Sequence, residues 1–222
     1  MEQRDILFAE QRITPDLLAA ALQARSTAAL PVHQPARLRG DHDLNPDLLC
    51  NGSGAREAAV LVPLVARPSG TQVLLTRRSS DLSSHPGQIA FPGGCREPED
   101  EGPIATALRE TEEEIGLEPQ KVRPLGQLDL YVTSTGFAVT PIVGWVEEDF
   151  PMEALALDRR EVEEVFEVPL PFFLNPLNRQ RHRRHYRGKE RHFYVYPYRD
   201  YYIWGATAGM LNNLAEVLAQ GC

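Results

Sequence analysis

The sequence has few cysteines and no long hydrophobic run. Three of its 222 residues are cysteine, which is too few for a disulfide framework. The longest apolar runs, such as residues 58–66, are as long as a strand and far shorter than the roughly 20 residues that cross a bilayer. The first residues are polar and acidic, with no apolar segment typical of a secretory signal. We therefore expect a cytoplasmic globular protein that does not associate with a membrane.

The sequence also lacks an excess of positive charge and a P-loop. The net charge of −8 argues against a general surface for nucleic acids, and no Gly-Lys-Ser/Thr follows a glycine at the P-loop spacing. Residues 179–192 are an exception, with seven Lys/Arg and three His against one acidic residue. We consider three interpretations, in decreasing order of preference: a solvated hairpin with ion pairs, side chains for substrate phosphates, and RNA binding. No nucleic-acid partner is expected.

Residue patterns predict an N-terminal extension over residues 1–55 and a main domain over residues 56–222. In the extension, Thr14 and Pro15 are typical of a helix start. In the main domain, runs of β-branched and aromatic residues separated by turn residues predict three strand pairs: residues 58–66 with 71–78, 121–133 with 137–148, and 181–187 with 191–198. Apolar residues at helical spacing predict a last helix over residues 205–220.

The most informative segment is a glycine-rich loop followed by a helix that carries clustered carboxylates. Pro103 at the first turn and Gly116 at the end predict a helix over residues 103–115. Glu110, Glu113 and Glu114 share one face of it, although like charges at this spacing repel. A solvated face is the ordinary explanation for such a run. Carboxylate oxygens after a Gly-Gly loop are also the ligands that Mg²⁺ or Mn²⁺ prefers, and a cation would turn repulsion into attraction.

These residues resemble the Nudix box. Its second half, an Arg-Glu-apolar-x-Glu-Glu-x-Gly-apolar pattern, is present as RETEEEIGL over residues 109–117, with Thr111 at the usual apolar position. The first half fits with one extra residue, because the acid eight positions before Arg109 is Glu101 whereas the acid six positions after Gly94 is Asp100. The resemblance implies the Nudix α/β/α sandwich with a mixed central sheet, preceded here by the helical extension.

The segment upstream narrows the resemblance to coenzyme A pyrophosphatases. LLTRRSSDLSSHPGQIAFPGG, residues 74–94, is similar to the signature that precedes the box in those enzymes, which share the longer box. Ser83 stands where a basic residue is often found. The resemblance implies substrate contacts at these positions, and for His85 a structural hydrogen bond is an equal alternative. The positions are Arg78, Ser79, His85, Gly87, Phe91, Gly93 and Gly94.

The resemblance also implies roles in metal-dependent diphosphate hydrolysis. Glu110, Glu113 and Glu114 would bind Mg²⁺ or Mn²⁺, with Glu114 and Glu110 at the innermost site. The catalytic residues would be Glu113, Glu114, Arg109 and a general base, for which Glu164 and Glu161 are the candidates. Arg109 would orient the loop by pairing with Glu101 or Glu113.

The substrate implied by the resemblance is coenzyme A or a derivative, cleaved to 4′-phosphopantetheine and adenosine 3′,5′-bisphosphate. The alternatives are a Nudix hydrolase of ADP-ribose or dinucleoside polyphosphates, and a nucleotide-sensing protein that keeps the fold without turnover. A homodimer is one oligomeric state that the resemblance allows. Cys95 is not expected to act as a nucleophile, because no His-Asp pattern surrounds it. Trp204, Tyr201 and Tyr202 are interpreted as core or interface residues.

Overall fold

A computed structural model describes residues 13–27, 38–48, 54–147, 150–186 and 188–220. The rest of the predicted N-terminal extension, one residue of the basic segment and the C-terminal cysteine lie outside this range. No helix within the described ranges is long and apolar enough to span a membrane.

A mixed sheet of nine strands forms the centre of the molecule, and a second sheet of three strands lies beside it. The nine-stranded sheet has the order β1-β7-β8-β2-β3-β4, with β5 paired to β2, β6 to β8 and β9 to β3. The strands are β1 (Leu38–Gly40), β2 (Arg56–Val65), β3 (Gln72–Arg78), β4 (Ile89–Ala90), β5 (Gly93–Cys95), β6 (Val122–Gln127), β7 (Leu130–Val132), β8 (Phe137–Val146) and β9 (Val162–Pro169). The second sheet contains β10 (Gln180–Tyr186), β11 (Lys189–Tyr198) and β12 (Tyr201–Trp204).

Strands β2 and β8 are neighbouring long strands at the centre of the larger sheet. They run parallel and stay in register from Arg56 opposite Phe137 to Val65 opposite Val146. Both faces of β2 are covered, so its sequence is continuously apolar rather than alternating. The three predicted strand pairs are confirmed, although residues 121–133 form two strands, β6 and β7, that each pair with β8.

The described residues also form four α-helices: α1 (Pro15–Thr27), α2 (Pro103–Ile115), α3 (Leu170–Leu174) and α4 (Ala206–Gln220). The predicted bounds of α2 are confirmed. Proline occupies its first turn, where a missing N–H is not needed. Gly116 ends it with a φ of 71°, a conformation that most residues avoid.

The core divides into two clusters on opposite faces of the larger sheet. Leu61 and Leu74 point to the face covered by α2, where Ala107 and Ile115 pack on them. On the opposite face, which α4 covers, Leu64 and Val73 belong to a larger cluster that includes α4 side chains such as Leu211. Helices therefore lie on both faces of a mixed sheet. This arrangement confirms the predicted α/β/α sandwich.

The described part of the predicted N-terminal extension packs on the main domain. Leu18 of α1 is fully buried in the cluster on the α4 face. Strand β1 adds to the sheet by pairing in parallel with β7. Arg39 on β1 forms ion pairs with Asp129 at 3.2 Å and with Glu216 of α4 at 2.5 Å. The division at residue 55 stays a prediction.

Two consecutive arginines at the end of β3 point to opposite faces of the sheet, as neighbouring strand residues do, and the register with β9 shifts between them. Along the β3–β9 pair, Arg77 lies opposite Glu164, whereas Arg78 lies opposite Val162. Arg78 approaches Glu114 of α2, and Arg77 lies over the ring of Tyr201 on β12. The end of β3 therefore joins a site on the α2 face to a second one on the α4 face.

Candidate active site

The glycine-rich loop lies close against the carboxylate face of α2. The backbone N–H of Gly93 donates a hydrogen bond of 3.1 Å to Oε2 of Glu114. A Cβ atom on Gly94 would lie 2.4 Å from the carboxyl carbon of Glu110. Any larger residue at position 94 would displace Glu110, so glycine is required for this approach.

Glu114 is a buried carboxylate with little compensation. Its side chain is 6% exposed, and the nearest cation, Nη1 of Arg78, is 3.9 Å from Oε1. Burial raises the pKa of Glu114 to about 7, since a low-dielectric environment disfavours the charged form. The Gly93 hydrogen bond and the charge of Arg78 oppose this shift, whereas the charges of Glu161 and Glu110 add to it. Ionised Glu114 is therefore a group that a further cation would stabilise.

Glu110 and Glu113 differ from each other in burial. The Glu110 side chain is 18% exposed, and its Oε1 accepts a hydrogen bond of 3.1 Å from Nη1 of Arg109. Burial raises the pKa of Glu110, although the charge and hydrogen bond of Arg109 oppose that shift. The Glu113 side chain is 60% exposed and lies 3.3 Å from the same Arg109 nitrogen. The two inner acids are thus Glu110 and Glu114, and Glu113 lies at the rim.

Arg109 ties the loop to the helix through an acid other than the one predicted. Its Nε and Nη2 donate hydrogen bonds of 3.0 and 2.9 Å to the two oxygens of Asp100, and its Nη1 contacts Glu113 as predicted. The pairing with Glu101 was wrong, because Glu101 is exposed at the loop surface. Asp100 is buried and also accepts hydrogen bonds from the Glu97 N–H and the Thr106 hydroxyl. These donors, Arg109 foremost, lower the pKa of Asp100.

This pairing locates the extra residue of the box. Asp100 stands six positions after Gly94, the usual spacing for the loop acid in the pattern. The additional residue therefore falls between Asp100 and α2, where Glu101 and Gly102 lead into Pro103.

The donor set suits a hard divalent cation. In the described conformation, no three His, Cys, Asp or Glu side chains of the described residues converge closely enough to hold a metal ion, since Glu113 is turned toward Arg109. Mg²⁺ often takes only one or two protein carboxylates and completes its shell with water and substrate oxygens. Glu110 and Glu114, with their raised pKa values and the space left by Gly94, fit that requirement.

The two candidates for the general base lie in different surroundings. The charge of Glu161 contributes to the raised pKa of both Glu110 and Glu114, so this acid lies within electrostatic range of them. Glu164 is instead held by two groups associated with the α4 face. It accepts a hydrogen bond of 2.6 Å from the Tyr201 hydroxyl and lies 3.2 Å from Nε of Arg77. Glu161 is therefore the candidate whose charge acts on the carboxylates of α2, whereas Glu164 is engaged on the other face.

The other predicted substrate residues fall into exposed and buried groups. His85 and Gly87 are exposed in the turn before β4, with φ angles of 57° and 67°. Ser79 is buried, and its N–H donates a hydrogen bond of 2.7 Å to the Glu161 carbonyl. Phe91 is 3% exposed and belongs to the cluster on the α4 face, so its ring packs in the core and offers no surface to a ligand.

Sequence reasoning missed a pocket on the α4 face. It is an open cavity of about 340 Å³ between the turn before β4 and the strand β12. Arg77, Tyr201, Tyr202 and Trp204 line one part of it, and Pro86 to Ile89 line the other. The position of Arg77 next to Arg78 was the one available signal. A second cavity, near Tyr131, holds about 40 Å³ and is too small for a nucleotide.

The basic segment forms the exposed hairpin β10–β11. Lys189 and Arg191 contact the two oxygens of Asp47 at 2.8 and 2.6 Å, and Arg183 contacts Glu190 at 3.2 Å. These pairs agree with the first of the three interpretations of the segment, a solvated hairpin with ion pairs. Surface pairs of this kind contribute little to stability.

Comparisons with known proteins identify the family. The NUDIX domain family matches residues 55–189. A protein of Photorhabdus laumondii named uncharacterized Nudix hydrolase NudL is 45% identical over 166 residues, which cover 72% of this chain and 84% of the relative. The NudL protein of Escherichia coli K12 is 41% identical over 177 residues, with 78% and 88% covered. Among solved structures, the Nudix hydrolase RenU from M. smegmatis is 25% identical, with a TM-score of 0.41, over 53% of this chain and 72% of its own. The chain belongs to the Nudix hydrolase family.

Proposed function

We propose that this Nudix hydrolase cleaves the diphosphate of coenzyme A or a derivative, giving 4′-phosphopantetheine and adenosine 3′,5′-bisphosphate. The observation that carries the proposal is the signature-like segment of residues 74–94. Two of its members support a role at the site, since Arg78 approaches Glu114 and Gly93 donates a hydrogen bond to it. The segment also forms one wall of the 340 Å³ pocket. The same segment therefore contacts the carboxylate site through some of its residues and bounds, through others, a cavity large enough for part of a nucleotide.

Members of this family generally use divalent metal ions. In our proposal, Glu110 and Glu114 hold Mg²⁺ or Mn²⁺, and the rim acid Glu113 joins them by leaving Arg109. A bound dication supplies neutralisation of the diphosphate oxygens and lowers the pKa of bound water. The ionised form of Glu114 is the one required, and the same positive charge favours it.

The remaining roles belong to side chains that position or move protons. Arg109 is a positioning residue, because it joins Asp100 of the loop to Glu110 and Glu113 of the helix. Glu161 is our choice for the general base, since its charge acts on the two inner carboxylates and its side chain is exposed to solvent. Glu164, the alternative, would have to act from its pairing with Tyr201 and Arg77.

A substrate panel tests the proposal. Purified protein with Mg²⁺ or Mn²⁺ is assayed against coenzyme A, ADP-ribose and diadenosine polyphosphates, and the products are identified by mass. We expect the highest kcat/KM with coenzyme A and the two products named above. The Glu114→Gln variant, purified in parallel, controls for contaminating hydrolases. A preference for a substrate without the pantetheine arm would refute the assignment, and no turnover of any compound would favour a sensing role.

Two further properties stay predictions. We place the reaction in the cytoplasm, on the cysteine usage of the sequence. The oligomeric state, with a homodimer as the expectation, can be measured by light scattering at assay concentrations.

A further inference from the structure

The pocket on the α4 face and the carboxylate site on the α2 face meet at the end of β3. Arg77 lines the pocket, and the next residue, Arg78, approaches Glu114 from the other face. Consecutive Cα atoms are about 3.8 Å apart, so the two sites are separated by only the end of one strand. The volume of about 340 Å³ falls at the lower end of the range for ligand pockets. A substrate whose diphosphate lies at α2 could therefore extend one of its ends around β3 into this pocket.

Arg77 is a partly exposed guanidinium with spare donors. Its cation lies over the ring of Tyr201 at 5.2 Å, and its Nε lies 3.2 Å from Oε2 of Glu164. That nitrogen is buried, and the contact lacks the geometry of a hydrogen bond. No group in the described part of the chain accepts a hydrogen bond from this side chain. An arginine that is fixed in place and keeps free donors is suited to a phosphate group.

The same part of the pocket carries aromatic side chains that are held in place yet open to solvent. Tyr202 is 46% exposed, and its hydroxyl lies 2.8 Å from Nδ1 of His182. Trp204 packs edge-on against Phe193 with ring centroids 5.3 Å apart. A nucleobase can stack on such rings, because every base has a flat π face. The pocket thus combines a phosphate-binding group with a surface for a base.

We propose that this pocket binds the 3′-phosphoadenosine end of the substrate, with Arg77 at the 3′-phosphate and Tyr202 and Trp204 at the adenine. The assignment rests on the proposed function for the identity of the substrate. It supplies a cation for the 3′-phosphate where the sequence has Ser83 in place of the basic residue often found in the signature. It leaves the pantetheine arm to extend from the diphosphate in the other direction.

The first experiment compares coenzyme A with dephospho-coenzyme A, which lacks only the 3′-phosphate. For Arg77→Gln we expect KM for coenzyme A to rise about 10- to 100-fold, since a hydrogen-bonded charge contact is lost, and KM for dephospho-coenzyme A to change less than about threefold. Arg199→Gln is the matched control, because Arg199 lies over Tyr198 near the pocket but does not line it. Equal effects of Arg77→Gln on both substrates would overturn the role at the phosphate.

The second experiment needs no turnover and so separates this inference from the proposed function. Calorimetry measures the binding of adenosine 3′,5′-bisphosphate and of AMP to the full-length wild-type protein and to Arg77→Gln. We expect the bisphosphate to bind more tightly than AMP to the wild type, and the difference to disappear in the variant. If coenzyme A is not a substrate but this pattern holds, the pocket assignment stands and the proposed reaction fails. If the wild type does not distinguish the two nucleotides, the pocket assignment fails.

The third experiment tests the aromatic part with a conservative partner variant. Tyr202→Leu should raise KM for both coenzyme A and dephospho-coenzyme A about tenfold through loss of stacking, while Tyr202→Phe keeps the ring and should restore the wild-type value. The pair also controls for stability, because both variants lose the hydrogen bond to His182. Indistinguishable KM values for the two variants would remove Tyr202 from the site.

Discussion

On the α2 face of the sheet, Glu114 is buried with an arginine no nearer than 3.9 Å, whereas on the α4 face Glu164 has both an arginine and a tyrosine hydroxyl as close partners. The two acids lie at the same end of the β3–β9 pair. Burial raises the pKa of Glu114 to about 7, because the groups around it in the described part of the chain do not fully offset its desolvation. Arg77 supplies a positive charge next to Glu164, whereas Glu114 would gain a comparable charge only from a bound cation.

This difference separates two kinds of acidic residue that look alike in a sequence. A carboxylate satisfied by the chain's own donors, such as Asp100 with Arg109, is a structural element. A buried carboxylate that lacks such donors costs stability unless something binds there, and perturbed groups of this kind concentrate at functional sites. Glu114 is of the second kind, and Glu110 is close to it, because its pKa stays raised despite the contact with Arg109.

The largest effect should come from removing the buried charge on the α2 face. Glu114→Gln keeps an oxygen that can accept the Gly93 N–H but loses the anion that we propose as a metal ligand, so kcat should fall roughly 10³-fold. Steady-state assays measure this. The variant should unfold at a temperature no lower than the wild type in the absence of metal, since it removes a desolvated charge. Turnover near that of the wild type would mean that the buried charge of Glu114 on the α2 face is not needed for catalysis.

The next effect distinguishes Glu161 from Glu164. If Glu161 is the general base that we propose, Glu161→Gln should lower kcat about 100-fold, within the range of general-base catalysis, and should leave metal affinity nearly unchanged. Glu164→Gln should lower kcat less than about tenfold, since it removes a partner of Arg77 and Tyr201 rather than a proton acceptor at the site. Turnover gives the first quantity and metal titration the second. The reverse order of effects would establish Glu164 as the base.

That pair also shows where sequence reasoning stopped. The bounds of α2 follow from local chemistry, a proline that fits the first turn and a glycine that fits the end, and both were predicted. That Glu164 lies opposite Arg77 depends on the register of a strand pair about 85 residues apart in the chain, which shifts between Arg77 and Arg78. No residue pattern within either strand encodes that shift.

The acid that pairs with Arg109 could not be predicted from the sequence either, although it lies only nine residues away. Glu101 and Asp100 are adjacent acids, and counting from opposite ends of the box selects a different one. The choice is made by the Thr106 hydroxyl and the Glu97 N–H, which converge on Asp100.

The pocket at Arg77 was likewise not predictable, because it requires the second sheet to bring Tyr202 and Trp204 to the turn before β4.

The uncompensated burial of Glu114 should also appear as a pH dependence of stability in metal-free protein. Its pKa is near 7 in the folded state and about 4.3 when unfolded, so the folded state binds more protons between these values. Stability is therefore highest below pH 4.3 for this group and is lost as pH rises through 7. Relative to Glu114→Gln, the free energy of unfolding of the wild type should fall by about 3 kcal/mol from pH 4.5 to 7.5.

Denaturant unfolding in the presence of a chelator measures this difference, and subtraction of the variant cancels the other titrating groups. Addition of Mg²⁺ at pH 7.5 should restore stability to the wild type and not to the variant. A wild-type-minus-variant difference that does not change with pH would show that the chain compensates Glu114 as fully as it does Glu164.

We expect the smallest effect from substitutions of two adjacent glycines, Gly93 and Gly94. A Cβ atom added at each would contact different neighbouring atoms. A Cβ on Gly94 would lie 2.4 Å from the Glu110 carboxylate, the end of a flexible side chain, so Gly94→Ala should move Glu110 and lower kcat about tenfold while changing the Tm little. A Cβ on Gly93 would lie 2.4 Å from the Ala59 carbonyl oxygen, and its φ is 148°, so Gly93→Ala should lower the Tm markedly. Measurements of Tm and kcat for the two variants therefore show whether each glycine is required for activity or for stability. Full activity in Gly94→Ala would mean that the close approach of Glu110 to the loop is not needed for catalysis. The difference between the α2 and α4 faces would then depend on Glu114 alone.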